Sequence, residues 1–179
     1  GLKIWDDEMN VYYNANLNNP LPHNIKFSKQ GSFIFNINQD QLEIYDAFSQ
    51  KLISSISLEL KNNHERNIYN DETDGSLYLV DDAAVKQVDF SGNIIKSFKH
   101  SSAQGYDIAY TPGDDHLYFS DGIGIVKLNK SNLKPLSWAY TKDFSGPNGW
   151  AAGLKVVRDN YGEKIFVFDN YNIIVLNQD

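Results

Sequence analysis

The sequence predicts an all-β fold built from repeated four-stranded antiparallel sheets. The first observation is a repeat: an apolar triplet, a polar turn and a second strand ending in Asp or Asn recur about every forty residues. The second is a near-continuous apolar run in each repeat, as at residues 77–80 and 165–168, which is typical of strands covered on both faces. The third is that no segment shows an amphipathic helix pattern of three turns. The strand-ending residues are Asp6, Asp46, Asp89, Asn129 and Asn177.

Each complete repeat is predicted to hold four strands, named a to d. In the second complete repeat they read RNIYND, SLYLVD, VKQVDF and IIKSFKH. Polar turns that mostly contain Gly join a to b, such as KQGS and ETDGS, and further polar turns join c to d, such as FSGN. The d strands are more polar, as outer edge strands are. A period near forty residues with four strands per unit is typical of a β-propeller blade.

The predicted blade parts make up one propeller domain or part of a larger propeller, and they cover residues 1–19, 22–60, 65–100, 105–142 and 150–179. Three blades are complete, whereas the first part supplies only c and d and the last only a, b and c. These two parts cannot merge into one blade, because strand c would be duplicated. Three arrangements stay open: a fragment of a larger propeller, which we favour, a four-bladed ring with one terminal strand displaced, or pairing of partial blades between copies.

The segment GSLYLVDDAAVKQVDFSGNIIKSF resembles a blade of the NHL or YVTN type, with Asp at the end of strand b and Gly in the c–d turn. The WD40 pattern fits less well, since the Gly-His pair before strand a is absent and Trp-Asp occurs once, at Trp5-Asp6. The resemblance to the β-propeller superfamily covers nearly the whole chain. It implies the fold and leaves the function open, because propellers carry many functions.

Composition narrows the classes of partner. The 179 residues carry a net charge of −7, which argues against a nucleic-acid partner. No run of eighteen apolar residues is present, so no membrane insertion is expected. The chain has no Cys, which excludes disulfides and thiolate sites, and it has no phosphate loop, HExxH, GxSxG or dinucleotide motif. We expect an extracellular or cell-surface location.

A binding site is predicted at the face where the d–a loops and b–c turns meet. The longest irregular stretch, DFSGPNGWAAG, presents a Trp that can stack on a sugar or anchor a partner. Three of the four His residues lie on the d–a loops, whereas His116 lies at an a–b turn on the opposite face and is left out. Trp138 and Tyr140, on an outer strand, are predicted to serve packing. The candidate binding residues are Trp150, Asn148, Tyr171, His64 and His100.

The same face carries candidate metal ligands. Asp81, Asp121 and Asp169 each follow a b strand, and their carboxylates could hold a divalent cation such as Ca²⁺. An Asp at that position is also explained as a turn residue that accepts hydrogen bonds from backbone amides. No cofactor is otherwise expected.

Two functions follow from these features. The first is a non-catalytic propeller that binds a protein or glycan partner, or assembles with copies of itself. The alternative is a hydrolase or lactonase-like enzyme with a divalent cation at the funnel mouth, held by Asp and His side chains. The absence of a catalytic motif favours the first.

Overall fold

A computed structural model describes residues 2–5, 11–15, 24–28, 30–38, 40–59, 68–71, 73–100, 105–111, 113–140, 142, 151–168 and 172–177. These residues form seventeen strands in five antiparallel sheets. Within this part of the chain no helix is long and apolar enough to cross a bilayer.

The first two sheets lie in the N-terminal third of the chain. Sheet 1 has two strands, β1 (Leu2–Trp5) and β2 (Val11–Ala15). Sheet 2 has four strands, β3 (Asn24–Phe27), β4 (Phe33–Asn38), β5 (Gln41–Asp46) and β6 (Leu52–Ser57).

Three more sheets follow in chain order. Sheet 3 holds β7 (Ile68–Asp71), β8 (Ser76–Val80), β9 (Ala84–Asp89) and β10 (Ile94–Lys99). Sheet 4 holds β11 (Asp107–Ala109), β12 (His116–Ser120), β13 (Gly124–Asn129) and β14 (Pro135–Tyr140). Sheet 5 holds β15 (Gly153–Asp159), β16 (Gly162–Phe168) and β17 (Ile173–Asn177).

Each four-stranded sheet is a meander in which every strand pairs with the next one along the chain. The first strands of successive sheets contact one another: β3 contacts β7, β7 contacts β11, and β11 contacts β15. The first strand is therefore innermost, as predicted for strand a, and the fourth strand is outermost and largely exposed. Three four-stranded sheets flanked by smaller sheets confirm the predicted fold class.

The cores lie between successive sheets. Between sheets 2 and 3 the core includes Phe35, Ile44 and Leu79, and between sheets 3 and 4 it includes Tyr78 and Phe119. A third core, between sheets 4 and 5, is formed around Val156, Ile165 and Val167, with Tyr118 and Leu154. Strands β8 and β12 are buried along their whole length, which confirms that their apolar runs are covered on both faces.

Sheet 5 differs from this pattern. Its apolar run alternates between buried and more accessible residues, since Ile165 and Val167 face sheet 4 whereas Phe168 is exposed. Val157 and Val175 are exposed on its other strands. In the described part of the chain no sheet packs on this second face, so the continuous apolar run does not by itself ensure burial on both sides.

The turns between the third and fourth strands share one backbone feature. Gln50, Gly92 and Leu133 all adopt positive φ, at 60°, 92° and 55°. Each donates its N–H to the carbonyl of the Asp or Asn that ends the third strand. Two of these three positions are therefore occupied by residues for which the left-handed region is unfavourable.

Replacing Gln50 with glycine is expected to raise the free energy of unfolding by about 0.5 to 1 kcal/mol, because glycine adopts this φ without a Cβ clash. Gln50 is exposed, so little packing is lost. Urea unfolding measures the change. Ser49→Gly in the same turn is the control, since Ser49 has no positive φ and should gain nothing. A gain in the control, or none for Gln50→Gly, contradicts the strain argument.

Candidate functional site

The structure brings three of the predicted site residues to one end of sheets 3 and 4. Asp81 follows β8, Asp121 follows β12 and His100 follows β10. His100 Nε2 lies 2.9 Å from the carbonyl oxygen of Asp81, and its ring centroid lies 5.6 Å from that of Phe119.

Asp81 is a buried anchor of the turn between β8 and β9. Its Oδ1 accepts hydrogen bonds from the amides of Ala83 and Ala84, at 3.0 and 2.8 Å. Its Oδ2 accepts the amide of Glu59 at 3.1 Å and pairs with Lys86. Burial acts to raise the pKa of Asp81, but Lys86 and these amides outweigh it and hold the pKa below its usual range. Because Glu59 follows sheet 2, this carboxylate also joins sheets 2 and 3.

Asp121 has the same turn geometry and a different electrostatic environment. Its Oδ1 accepts hydrogen bonds from the amides of Ile123 and Gly124, at 3.1 and 2.9 Å. The strand register places Val126 where sheet 3 has Lys86, so this cation is replaced by an apolar side chain. Burial accordingly raises the pKa of Asp121 despite the two amides. In both turns the Asp bonds backbone amides, as expected for a turn residue.

An exposed apolar surface lies beside Asp121. Ile123, Trp138 and Tyr140 are 56%, 51% and 47% exposed. Together with Asp121 and Gly124 they line a cavity of about 200 Å³. We name these five residues the aromatic patch.

Gly124 makes the close approach of β13 and β14 possible in this patch. A Cβ at this position would lie 2.7 Å from the carbonyl oxygen of Ala139, so a larger residue would force the strands apart. Lys142 lies over the ring of Tyr140, with its Nζ 5.4 Å from the centroid. Trp138 and Tyr140 lie on the outer strand β14 and are half exposed, so the packing predicted for them covers only about half of each residue.

The other predicted site residues lie outside the described residues. They are Trp150, Asn148, Tyr171, His64 and Asp169. Their proposed binding and metal-ligating roles stay predictions, as does a calcium ion held by Asp81 and Asp121 together with Asp169.

Solved structures share this fold at low sequence identity. The WD40 domain of Pan2 from Neurospora crassa superposes with a TM-score of 0.67 at 15% identity, over 87% of this chain and 46% of that one. The structure of U3-55K gives a TM-score of 0.61 at 12% identity, over 86% of this chain and 50% of that one. No protein-family model and no curated protein matches the chain. The chain thus has the β-propeller fold of these structures and spans about half of their length.

Proposed function

We propose that the chain is a non-catalytic interaction module that binds a protein partner through the aromatic patch. The observation that carries the proposal is the exposure of Trp138, Tyr140 and Ile123 around one cavity. Trp and Tyr are enriched among the residues that dominate binding energy at protein interfaces. Single exposed apolar residues are common on protein surfaces, whereas several of them side by side mark an interaction site.

The size of the cavity supports a protein partner. Sites for small molecules typically enclose about 300 to 1,000 Å³, whereas this cavity has about 200 Å³. A single apolar side chain of a partner suits that volume. Ile123 adds an aliphatic wall, which favours an apolar side chain over a sugar ring.

Charge supports a basic residue next to that anchor. The chain carries a net charge of −7, and Asp121 lines the cavity. A partner segment with one apolar anchor followed by Lys or Arg would place its cation near this carboxylate. We therefore expect short basic-apolar peptides to be the simplest ligands.

A peptide selection tests the proposal. A random peptide library displayed on phage is selected against the chain, and the affinities of the recovered peptides are measured by fluorescence polarisation. We expect Trp138→Ala to weaken binding at least tenfold, because a central aromatic anchor is worth more than about 1.4 kcal/mol. Tyr161→Ala is the matched control, since Tyr161 is an exposed aromatic residue in the β15–β16 turn, at the other end of the sheets.

Two outcomes would contradict the proposal. In the first, the selected peptides bind Trp138→Ala as tightly as the unmodified chain. In the second, no peptide is selected, while an oligosaccharide array yields ligands that depend on Trp138. That result would assign the patch to glycans.

A further inference from the structure

Three ligand-bearing side chains meet between sheets 4 and 5, at the end opposite the aromatic patch. Asp114 lies in the turn before β12, His116 is the first residue of β12, and Glu163 lies near the start of β16. One oxygen or nitrogen atom from each lies within 4.8 Å of the others. His116 and Glu163 are buried, and the side chain of Asp114 is 7% exposed. We name these residues the histidine–carboxylate cluster.

The atoms converge on one nitrogen. His116 Nε2 lies 2.9 Å from Glu163 Oε2 and 3.9 Å from Asp114 Oδ2. Zinc binds imidazole nitrogen and carboxylate oxygen at about 2.0 to 2.2 Å, so its tetrahedral ligands stand roughly 3.4 Å apart. The separations of 2.9 and 3.9 Å from His116 Nε2 each differ from this spacing by about 0.5 Å, so small shifts would bring both carboxylate oxygens to zinc-ligand distance from it.

Each of the three side chains is held by an outer partner. His116 Nδ1 lies 3.1 Å from Asp115 Oδ1, and Arg158 Nη2 lies 2.6 Å from Asp114 Oδ1. Glu163 accepts hydrogen bonds from the hydroxyl groups of Tyr118 and Thr111, at 2.8 and 3.1 Å. Metal ligands in proteins are typically oriented in this way, with the second nitrogen of the His bonded to a carboxylate.

One oxygen of the cluster has unused hydrogen-bonding capacity. Asp114 Oδ2 is buried and accepts no hydrogen bond, and the 3.9 Å separation from His116 Nε2 is too long for one. A buried carboxylate oxygen without a hydrogen bond is costly, and a bound cation would offset that cost. Arg158 satisfies only the other oxygen, and its side chain is half exposed. The carboxylates of Asp114 and Glu163 carry two negative charges, and Arg158 neutralises only one of them, so negative charge remains near His116 Nε2.

We propose that the histidine–carboxylate cluster binds one divalent cation of the zinc class through Asp114 Oδ2, His116 Nε2 and Glu163 Oε2. The imidazole ligand favours zinc over calcium or magnesium, which prefer all-oxygen sites. In the absence of a metal, the contact between Nε2 and Glu163 requires a shared proton, and the cation takes the place of that proton. The ion joins sheet 4 to sheet 5 and so stabilises the stack.

Calorimetric titration of the whole chain with Zn²⁺ tests this site. We expect one ion per chain, and at least tenfold weaker binding in Asp114→Asn and His116→Gln. Asp159→Asn is the matched control and should bind as the unmodified chain does, because Asp159 is an exposed carboxylate of sheet 5 that pairs with Lys164. Equal affinity in Asp114→Asn, His116→Gln and the unmodified chain, or no heat of binding in the unmodified chain, would overturn the proposal.

A second measurement does not depend on whether the variants fold. Co²⁺ added to the unmodified chain should give the intense visible absorption of a four-coordinate site with a nitrogen ligand, and Zn²⁺ should remove it. The weak spectrum of hexa-aqua Co²⁺ would refute a built site. Glu163→Gln provides a further variant, since the amide keeps the shape of the side chain and can still accept the hydrogen bond from Tyr118.

Discussion

Replacing Lys130 with methionine is expected to lower the free energy of unfolding by about 3 to 5 kcal/mol, because it leaves a buried carboxylate without its cation. Lys130 follows β13 in sheet 4 and pairs with Asp71, at the end of β7 in sheet 3. Its Nζ also lies 3.3 Å from Asp74 Oδ2 and 3.1 Å from the hydroxyl oxygen of Tyr110. The Asp71 side chain is 2% exposed, so water cannot replace the lost partner.

The double variant Asp71→Asn with Lys130→Met should recover most of this loss. The asparagine side chain keeps an oxygen for the amide and hydroxyl of Thr73, which both donate to Asp71 Oδ1. Replacing both members of a buried ion pair is often nearly neutral. Urea unfolding followed by circular dichroism measures both variants. If the double variant is as unstable as Lys130→Met, packing and not the unpaired charge is responsible.

The same pair predicts a pH dependence. Burial acts to raise the pKa of Asp71, but hydrogen bonds from Lys130 and Thr73 outweigh it and lower the pKa overall. A carboxyl group whose pKa is lower when folded contributes stability above its unfolded pKa of about 3.9 and loses it as the pH falls through the folded value. Below about pH 4 the free energy of unfolding of the unmodified chain should therefore fall relative to that of the double variant, which has no carboxyl group at position 71.

At alkaline pH the stability contributed by the pair depends on Lys130, whose pKa is shifted in the opposite direction. Burial acts to lower the pKa of Lys130, but Asp71 and Tyr110 raise it overall. Its contribution is therefore complete below the ordinary lysine pKa of about 10.4 and is lost only as the pH rises through the higher folded value. Between these limits the pair should contribute its full stability.

Asp81→Asn is the second substitution with a large expected effect, a loss of about 3 to 5 kcal/mol. The Asn side chain keeps an oxygen for the amides of Ala83 and Ala84, so the turn is preserved. What it removes is Oδ2, which accepts the amide of Glu59 and is the partner of Lys86, whose side chain is 11% exposed. The cost is that of a buried ammonium group without a counter-charge.

The controls for Asp81 separate charge from turn geometry. Asp81→Asn combined with Lys86→Met should regain most of the stability, since no buried charge is left. Asp89→Asn removes an exposed carboxylate that bonds turn amides in the same sheet, and it should cost less than about 1 kcal/mol. Chemical unfolding of all three measures the effect. A cost for Asp81→Asn no greater than that of Asp89→Asn would show that Lys86 needs no partner.

The repeat made the strands and turns predictable from the sequence. Strand-ending residues such as Asp46 and Asp89 mark the third strand, and Asp81 and Asp121 mark the turn after the second. These features recur in each repeat because every blade has the same local requirements: its hairpins must close, and the amides of the turns need hydrogen-bond acceptors. Alignment of the repeats is therefore a sound guide to what happens within one sheet.

Contacts between sheets were not predictable in this way. Each second strand has one residue that pairs with the Asp or Asn ending the third strand, and the repeats carry Phe33, Ser76, His116 and Lys164 there, so each sheet interface has its own chemistry. His116 contacts Glu163 across 47 residues, and alignment does not reveal such pairs. One feature of the sequence did mark this site: the position before the pairing residue of the second strand holds Ser32 in sheet 2 and Gly75 in sheet 3, but the ionisable Glu163 in sheet 5. The exposure of Trp138 was not predictable for another reason. The alternating sequence pattern of an outer strand is the same whether or not another surface covers that strand.

The meander topology separates local contacts, which pair strands within a sheet, from long-range contacts, which join different sheets. Every paired strand in the described residues joins a neighbour along the chain, so each sheet can form by closing short loops at low entropic cost. The long-range contacts, including the ion pair of Lys130 and Asp71, form only when finished sheets dock. We infer that docking limits the folding rate, since sequence-distant contacts are the slow ones. Polar contacts buried between sheets are then expected to slow unfolding as well as to stabilise the fold, because they must break before neighbouring sheets separate.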